Sequence, residues 1–284
     1  MIEMKKANPD YTVHELCRVF QTSTSTYYYQ CRPKLVKHEE LVMMAAIKTI
    51  AIETGHTYGK RRMHASLLNR GFELGIYRTA TLMKKANVTA IMPRKRHYYP
   101  NAGKPHIKAK NILERQFYPK TINTHWVGDI TYIRTHQGWS YLACVLDLGS
   151  KEIVGWSMSK HPNAELAKEA LRHALRRQQP DTRQLLFHSD QGVQYCANLF
   201  VDYLNKLNIT QSMSRRGNCW DNSVMERFFR SLKTERLNLL SFINHVAAVT
   251  TVESYIYFYN YKRLHSSLGY ITPMQKTAAL KKAA

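Results

Sequence analysis

The sequence predicts an α/β core built on a mixed five-stranded sheet, preceded by short α-helical segments. Three observations lead there. From about residue 123, three strand-like runs follow one another across tight turns. Strand and helical periodicity then alternate, giving the order βββ-α-β-α-β-α. Before residue 90 the apolar residues recur only at helical spacing.

The elements follow in order. Residues 9–30 read as two short helices in a helix-turn-helix-like outline. Thr12 and Glu15 form a capping-box signature, and Val13, Leu16, Cys17 and Phe20 follow at helical spacing. Thr22-Ser23 breaks that pattern before a second helix over Thr24 to Gln30. A longer helix is expected from His38 to Thr54, stopped by Gly55. A second helix pair spans Lys60 to Leu68 and Tyr77 to Ala86. Residues 91–122 carry Pro93, Pro100, Pro105 and Pro119 among many cations, and read as an extended basic linker.

Strands are predicted over Thr124 to Arg134, Trp139 to Leu148 and Ile153 to Ser159. The turns His136-Gln137-Gly138 and Gly149-Ser150 join them into an antiparallel meander. Asn163 is expected to cap a helix reaching Gln178. A short strand, Gln184 to Ser189, then leads into Asp190, followed by a helix over Ala197 to Leu207 and a fifth strand over Ile209 to Met213. Ser214 to Asp221 reads as a loop and Asn222 to Leu237 as a helix. This is the element order of the ribonuclease-H-like fold. An apolar helix from Ile243 to Asn260 and a polar tail complete the chain. The expected segments are 1–36, 37–90, 91–122, 123–237 and 238–284.

Composition narrows the function. Forty-two Lys and Arg oppose 20 Asp and Glu, a formal charge of +22, which points to a polyanion and first of all to nucleic acid. Residues 1–110 hold 20 cations against 7 acids and residues 111–284 hold 22 against 13, so the N-terminal part is the more densely basic. The linker is expected to lie along the DNA. An apolar content of 44% argues for folded domains rather than disorder. Five scattered cysteines without a Cys-x-x-Cys pair fit a reducing cytosol, giving a cytoplasmic, nucleoid-associated expectation. No run approaches the ~18–20 apolar residues of a membrane span, so no membrane partner is expected. His14, Cys17, Cys31 and His38 match no common zinc spacing, and Cys17 is expected to be a buried structural cysteine.

Three acids stand out against this basic background: Asp129 in Trp126-Val127-Gly128-Asp129, Asp190 in His188-Ser189-Asp190-Gln191-Gly192, and Glu226 in Asn222-Ser223-Val224-Met225-Glu226. Acids in apolar surroundings need a positive partner. The strand assignments place Asp129 within one strand, Asp190 at the end of a neighbour, and Glu226 on a helix crossing that end. Such a set suits two Mg²⁺ or Mn²⁺ ions per site on oxygen ligands, and with them phosphoryl transfer. Arg230 and Lys233 share the face of Glu226, while Val224, Phe228 and Leu232 occupy the opposite, core-facing side. Each acid also has a plainer reading. Glu226 fits an i,i+4 pair with Arg230 or a capping box with Ser223; Asp221 fits a helix cap, and Asp147 a turn.

The expected DNA contacts are Lys60, Arg61 and Arg62 on the second helix pair, Arg94, Lys95 and Arg96 in the linker, Arg215, Arg216, Trp220 and Asn222 around the loop, and Arg230 and Lys233 beyond it. Trp220 suits either a wedge against a base or a buried lid.

The motifs His188 to Tyr195, Met213 to Asn222 with Glu226 and Leu232-Lys233-Thr234-Glu235, and Tyr259-Asn260-Tyr261-Lys262-Arg263-Leu264-His265 with Leu268 and Pro273 carry a resemblance that covers nearly the whole chain. The chain resembles the DDE transposases of bacterial insertion sequences with two overlapping reading frames, related to retroviral integrases, and looks like their second-frame product. The resemblance implies that Asp129, Asp190 and Glu226 are the metal-binding catalytic acids, and that Lys233 contacts terminal DNA. It implies metal-dependent DNA cleavage and strand transfer at insertion-sequence ends, on terminal inverted repeats and target DNA. It also implies a homo-oligomer, at least a dimer, on DNA, with the upstream-frame protein as fusion or partner. Ser223 and Arg227 stand where Ala and Ser are common in the family. A regulator without catalysis is disfavoured by three intact acids, and a plain nuclease by the basic helices and the C-terminal signature.

Overall fold

The computed structural model describes residues 1–32, 38–92, 109–215 and 219–283. Arg94, Lys95, Arg96 and Arg216 lie outside the described residues. The chain separates into two compact units, Met1–Ala46 and Ile47–Ala284.

The first unit contains α1 (Ile2–Ala7), α2 (Val13–Val19) and α3 (Thr24–Cys31), and α4 (His38–Glu53) begins in it. The capping box at α2 is formed: the Glu15 N–H donates to Thr12 Oγ1 at 3.2 Å, and the Thr12 N–H donates to Glu15 Oε2 at 2.8 Å. Ser23 caps α3 through the Thr26 N–H at 3.1 Å. Leu16, Cys17 and Tyr27 are buried. Helix α1 has no counterpart among the expected elements.

In the second unit, α5 (Lys60–Asn69) and α6 (Ile76–Lys85) pack as a helix pair, with Met63, Leu67, Leu82 and Met83 buried. The sheet holds β1 (His125–Thr135), β2 (Gly138–Asp147), β3 (Ile153–Ser159), β4 (Leu186–Ser189) and β5 (Thr210–Met213), in the order β3-β2-β1-β4-β5. The first three strands form the expected antiparallel meander, and β4 and β5 add in parallel to β1. Between them run α7 (Ala164–Gln178), the short α8 (Val193–Cys196) and α9 (Asn198–Lys206); α10 (Ser223–Glu235), α11 (His245–Tyr261) and α12 (Pro273–Ala283) follow. Asn163 caps α7 as expected, accepting from the Leu166 N–H at 3.1 Å. Asp147 is the last residue of β2, and its carboxylate closes the turn that follows, accepting from the Ser150 N–H at 2.8 Å.

Side chains alternate across a strand. Trp126 of β1, Ala143 and Val145 of β2, Val154 of β3 and Phe187 of β4 therefore meet α7 and α9 in one core layer. Val127, Asp129, Thr131 and Ile133 point to the other face, where α10 and α11 pack on the sheet. Phe228 of α10 and Tyr255 and Tyr259 of α11 build an aromatic cluster there.

Two expectations change. Residues 109–122 of the linker are docked rather than free along DNA. The Met213 N–H donates to the Lys110 carbonyl at 3.1 Å, the Ile112 N–H donates to Ser212 Oγ at 2.9 Å, and Leu113 is buried. The polar tail is largely helix α12, whose Thr277 hydroxyl donates to Glu152 at 2.8 Å while Arg177 of α7 binds the same carboxylate. Its polarity hid the helix because only one face needs to touch the core.

His265, after α11, is buried edge-on against the Tyr259 ring at 4.6 Å. Burial, with Arg263 and Arg62 nearby, pulls its proton affinity down to about 2. The unfolded chain takes up this proton near pH 6.5 and the folded chain does not, so stability falls as the pH drops below that value. Acidification from pH 7 to 5 should therefore cost the wild type ~2 kcal/mol more than His265→Gln. Urea unfolding at both pH values measures this; equal pH responses would refute it.

Candidate active site

The site begins where β1 and β4 part. Their parallel pairing runs His125↔Leu186, Trp126↔Phe187, Val127↔His188 and stops. Asp129 and Asp190 each lie two residues past that last pair, so the two strands deliver their acids at the same level. In open α/β sheets this crevice beyond the carboxyl ends of parallel strands is where ligands bind. Asp129 accepts from the Ile130 N–H at 2.7 Å, and Asp190 from the Gly192 N–H at 3.0 Å.

The third acid arrives on α10. Met225, Phe228, Phe229 and Leu232 bury one side of that helix, with Val224 half-buried, leaving Glu226, Arg227 and Arg230 exposed. Burial raises the proton affinity of Asp129 well above the usual range, and the Asp190 and Glu226 carboxylates push it further up. Lys233 acts the other way on Asp129. Its ammonium also lies over the Tyr132 ring at 4.8 Å. Burial likewise raises Asp190 and Glu226. Asp129 thus feels both other acids and is offset by Lys233. Among the described residues no group of three or more His, Cys, Asp or Glu side chains is placed to hold a metal ion by itself. The plainer readings of Glu226 find no bond: among the described residues no ion pair joins it to Arg230, and Asn222, not Ser223, occupies the N-cap without a side-chain hydrogen bond.

A groove of about 530 Å³ runs along α10, with Glu226, Arg227, Arg230, Trp220 and Arg62 in its lining. It offers one acid of the set and several cations to a ligand.

The family model described as integrase core domain matches residues 119–219, a second of the same description matches 207–273, and an HTH-like domain matches 37–96. The fold is similar to the HTLV-2 integrase catalytic core domain in complex with magnesium, with TM-score 0.45 and 16% identity over 55% of this chain and 97% of that one. At 38% identity over 261 residues, the chain is similar to an uncharacterized 31 kDa protein of insertion element IS600 from Shigella sonnei, covering 91% of this chain and 96% of that one. It is 34% identical over 284 residues to transposase InsF for insertion sequence IS3A of Escherichia coli (strain K12), covering 96% of each. The chain belongs to the IS3-type DDE transposases. It is a DNA transposase with a ribonuclease-H-like core, and among its described residues no helix is long and apolar enough to cross a membrane.

The transposase places its other expected contacts unevenly. Lys60, Arg61 and Arg230 are exposed, and Trp220 stands 69% exposed rather than folded in as a lid. Arg62 turns inward to Glu235 at 3.4 Å. Asn222 is buried, its Nδ2 donating to the Gly128 carbonyl at 3.4 Å, so it braces α10 against β1 instead of facing DNA. Arg215 is committed to Asp221, donating from Nε at 3.0 Å and from Nη2 at 3.1 Å.

Asp221 itself is not a helix cap. Its buried carboxylate also accepts from Arg115 at 2.7 Å, Asn111 at 3.0 Å and the Arg215 N–H at 3.0 Å. The Arg215 side chain, ahead of Arg115, holds it well below the usual carboxylate range despite its burial. Asp221 thereby staples the docked 109–115 segment to the loop before α10. Beneath Asp190, buried His188 bonds Ser212 at 2.9 Å and Ser214 at 3.2 Å, tying β4 to β5. Sequence reasoning gave neither role. The partners of Asp221 lie up to 110 positions away, and no local spacing signals them.

Proposed function

We propose that the transposase cuts DNA strands at the terminal inverted repeats of its element and joins the freed 3′ ends to target DNA, with Asp129, Asp190 and Glu226 as the catalytic acids. The observation that carries this reading is the delivery of Asp129 and Asp190 at one level where β1 and β4 part, with Glu226 of α10 near enough to act on Asp129. The set fits divalent ions. Its donors are all oxygen, Asp190 and Glu226 raise the proton affinity of Asp129, and its open arrangement suits Mg²⁺, which takes one or two carboxylates together with substrate phosphate oxygens. Two Mg²⁺ or Mn²⁺ ions held by these acids would lower the pKa of an attacking water or 3′-hydroxyl and offset charge at the leaving oxygen.

The rest belongs to the chain. Asp129 and Asp190 are fixed by the sheet and by the Ile130 and Gly192 N–H groups, so their geometry is set before substrate arrives. Arg227 and Arg230 draw phosphates along the groove. Trp220 offers an exposed ring to a base or sugar at its end. Lys60 and Arg61 at the start of α5 extend the basic track, and residues 37–90 form the helical DNA-holding segment. A homo-oligomer, at least a dimer, would bring two element ends together, and the upstream-frame protein is the proposed further partner.

The deciding experiment is a strand-transfer assay with Mg²⁺ or Mn²⁺ on duplexes carrying the repeats that flank the encoding element. Metal-dependent joined product supports the reading; no cleavage with either metal at any repeat would end it. A readout independent of turnover is thermal unfolding. Mg²⁺ or Mn²⁺ should raise the midpoint of the wild type, as ligands of the folded state do, but not that of Asp129→Asn. Lys233→Ala should weaken binding to repeat DNA and reduce the slope of log K against log salt by about one phosphate contact. An unchanged slope would remove Lys233 from the DNA path.

A further inference from the structure

The signature Tyr259 to His265 lies outside the acidic site, and its Asn260, Arg263 and His265 are buried. Asn260 is 1% exposed; its Oδ1 accepts from the Ile153 N–H and its Nδ2 donates to the Ile153 carbonyl, both at 2.9 Å. One amide thus pins the end of α11 to the edge strand β3. Arg263, 4% exposed, donates to Glu235 from Nε at 2.8 Å and from Nη2 at 2.6 Å. The Tyr255 hydroxyl donates to the same carboxylate at 2.8 Å, and Arg62 of α5 approaches it at 3.4 Å. Beside them buried Tyr58, just before α5, donates its hydroxyl to the Lys262 carbonyl at 3.1 Å and accepts from the Leu264 N–H at 2.8 Å.

These bonds converge from three places: the start of the α5–α6 pair through Tyr58 and Arg62, the core through Glu235 of α10, and the segment just after α11 through Arg263. Buried ion pairs contribute little net stability compared with apolar packing, so stability alone gives no account of this joint. Directional bonds do fix orientation. Glu235 ends the helix that carries Glu226 nine residues earlier, ~14 Å along a rigid rod.

We infer that Glu235, Arg263 and Tyr58 are positioning residues for transposition: through the C-terminal signature they fix the α5–α6 helices against α10, so that DNA held on those helices enters the groove in register with Glu226. This rests on the reading of Glu226 as a catalytic acid.

The test uses the full chain with Tyr58→Phe, Glu235→Gln and the double variant. Tyr58→Phe removes a single oxygen and keeps the ring, so it leaves the packing of the fold in place. Repeat-DNA affinity and the single-turnover joining rate at saturating DNA are measured separately. Each single variant should slow joining by about tenfold, the scale on which misplacement acts, with affinity within about twofold of wild type. The double variant should be no slower than the worse single, because both cut the same joint. Joining at the wild-type rate in both singles, losses that multiply in the double, or losses that follow affinity would each overturn the inference. Asp190→Asn run alongside separates the two readings. If that variant joins DNA, the acidic site is wrong and the inference falls with it. If it is inactive while Tyr58→Phe and Glu235→Gln join normally, only the positioning role fails.

Discussion

Asp190→Asn is expected to lower metal-dependent cleavage and joining by about 10³-fold or more, while binding to repeat DNA stays within about twofold. The loss corresponds to ~4 kcal/mol of transition-state stabilisation, the scale on which a metal-held charge acts at a phosphoryl group. The substitution keeps the shape of the side chain and the bond from the Gly192 N–H. It removes one of the negative charges that crowd Asp129. The metal-free variant should therefore unfold at the wild-type temperature or slightly above it. Full folding with lost chemistry is the signature of a site acid. Cleavage within tenfold of wild type would assign the carboxylate a structural role.

The largest effect on the fold is expected at Gly155 of β3. A Cβ there would lie 2.3 Å from the Ala170 carbonyl oxygen and 2.6 Å from the Ala174 nitrogen, both backbone atoms of α7. Neither can turn aside as a side chain would, so α7 has to lift off the sheet. Overpacking of this kind costs ~3 kcal/mol or more, which lowers the melting temperature by roughly 6–12 °C in a unit of this size. A Gly155→Ala protein melting within about 2 °C of wild type would show that α7 tolerates the shift.

Local periodicity made most of the fold legible. Caps and alternation located α2, α7 and β3, because those signals depend only on neighbours in sequence. The flanking motifs single out the three acids, and strand pairing puts Asp129 and Asp190 at one level. What stayed hidden is long-range. Asp221 read as a cap because helix starts favour Asp, yet Arg115 and Asn111 claim it from a segment that composition alone marks as linker. Asn222 read as a DNA contact because it is polar and flanks a basic run; burial beside Gly128 overrides that, and Arg62, still lining the groove, is partly engaged by Glu235. Helix α8 is a single turn, too short for any periodic signal.

The joint at the end of α11 also bears on how such elements exchange parts. Tyr58 and Arg62 at the front of the chain find their sockets at Lys262, Leu264 and Glu235, some 200 residues later. A crossover within 91–122 that imported the helical segment of another element would leave that socket facing foreign side chains. Recombinants should function only when the front segment travels together with the last quarter of the chain, so the helix that carries Glu226 is inherited with the N-terminal helices rather than with β1 and β4.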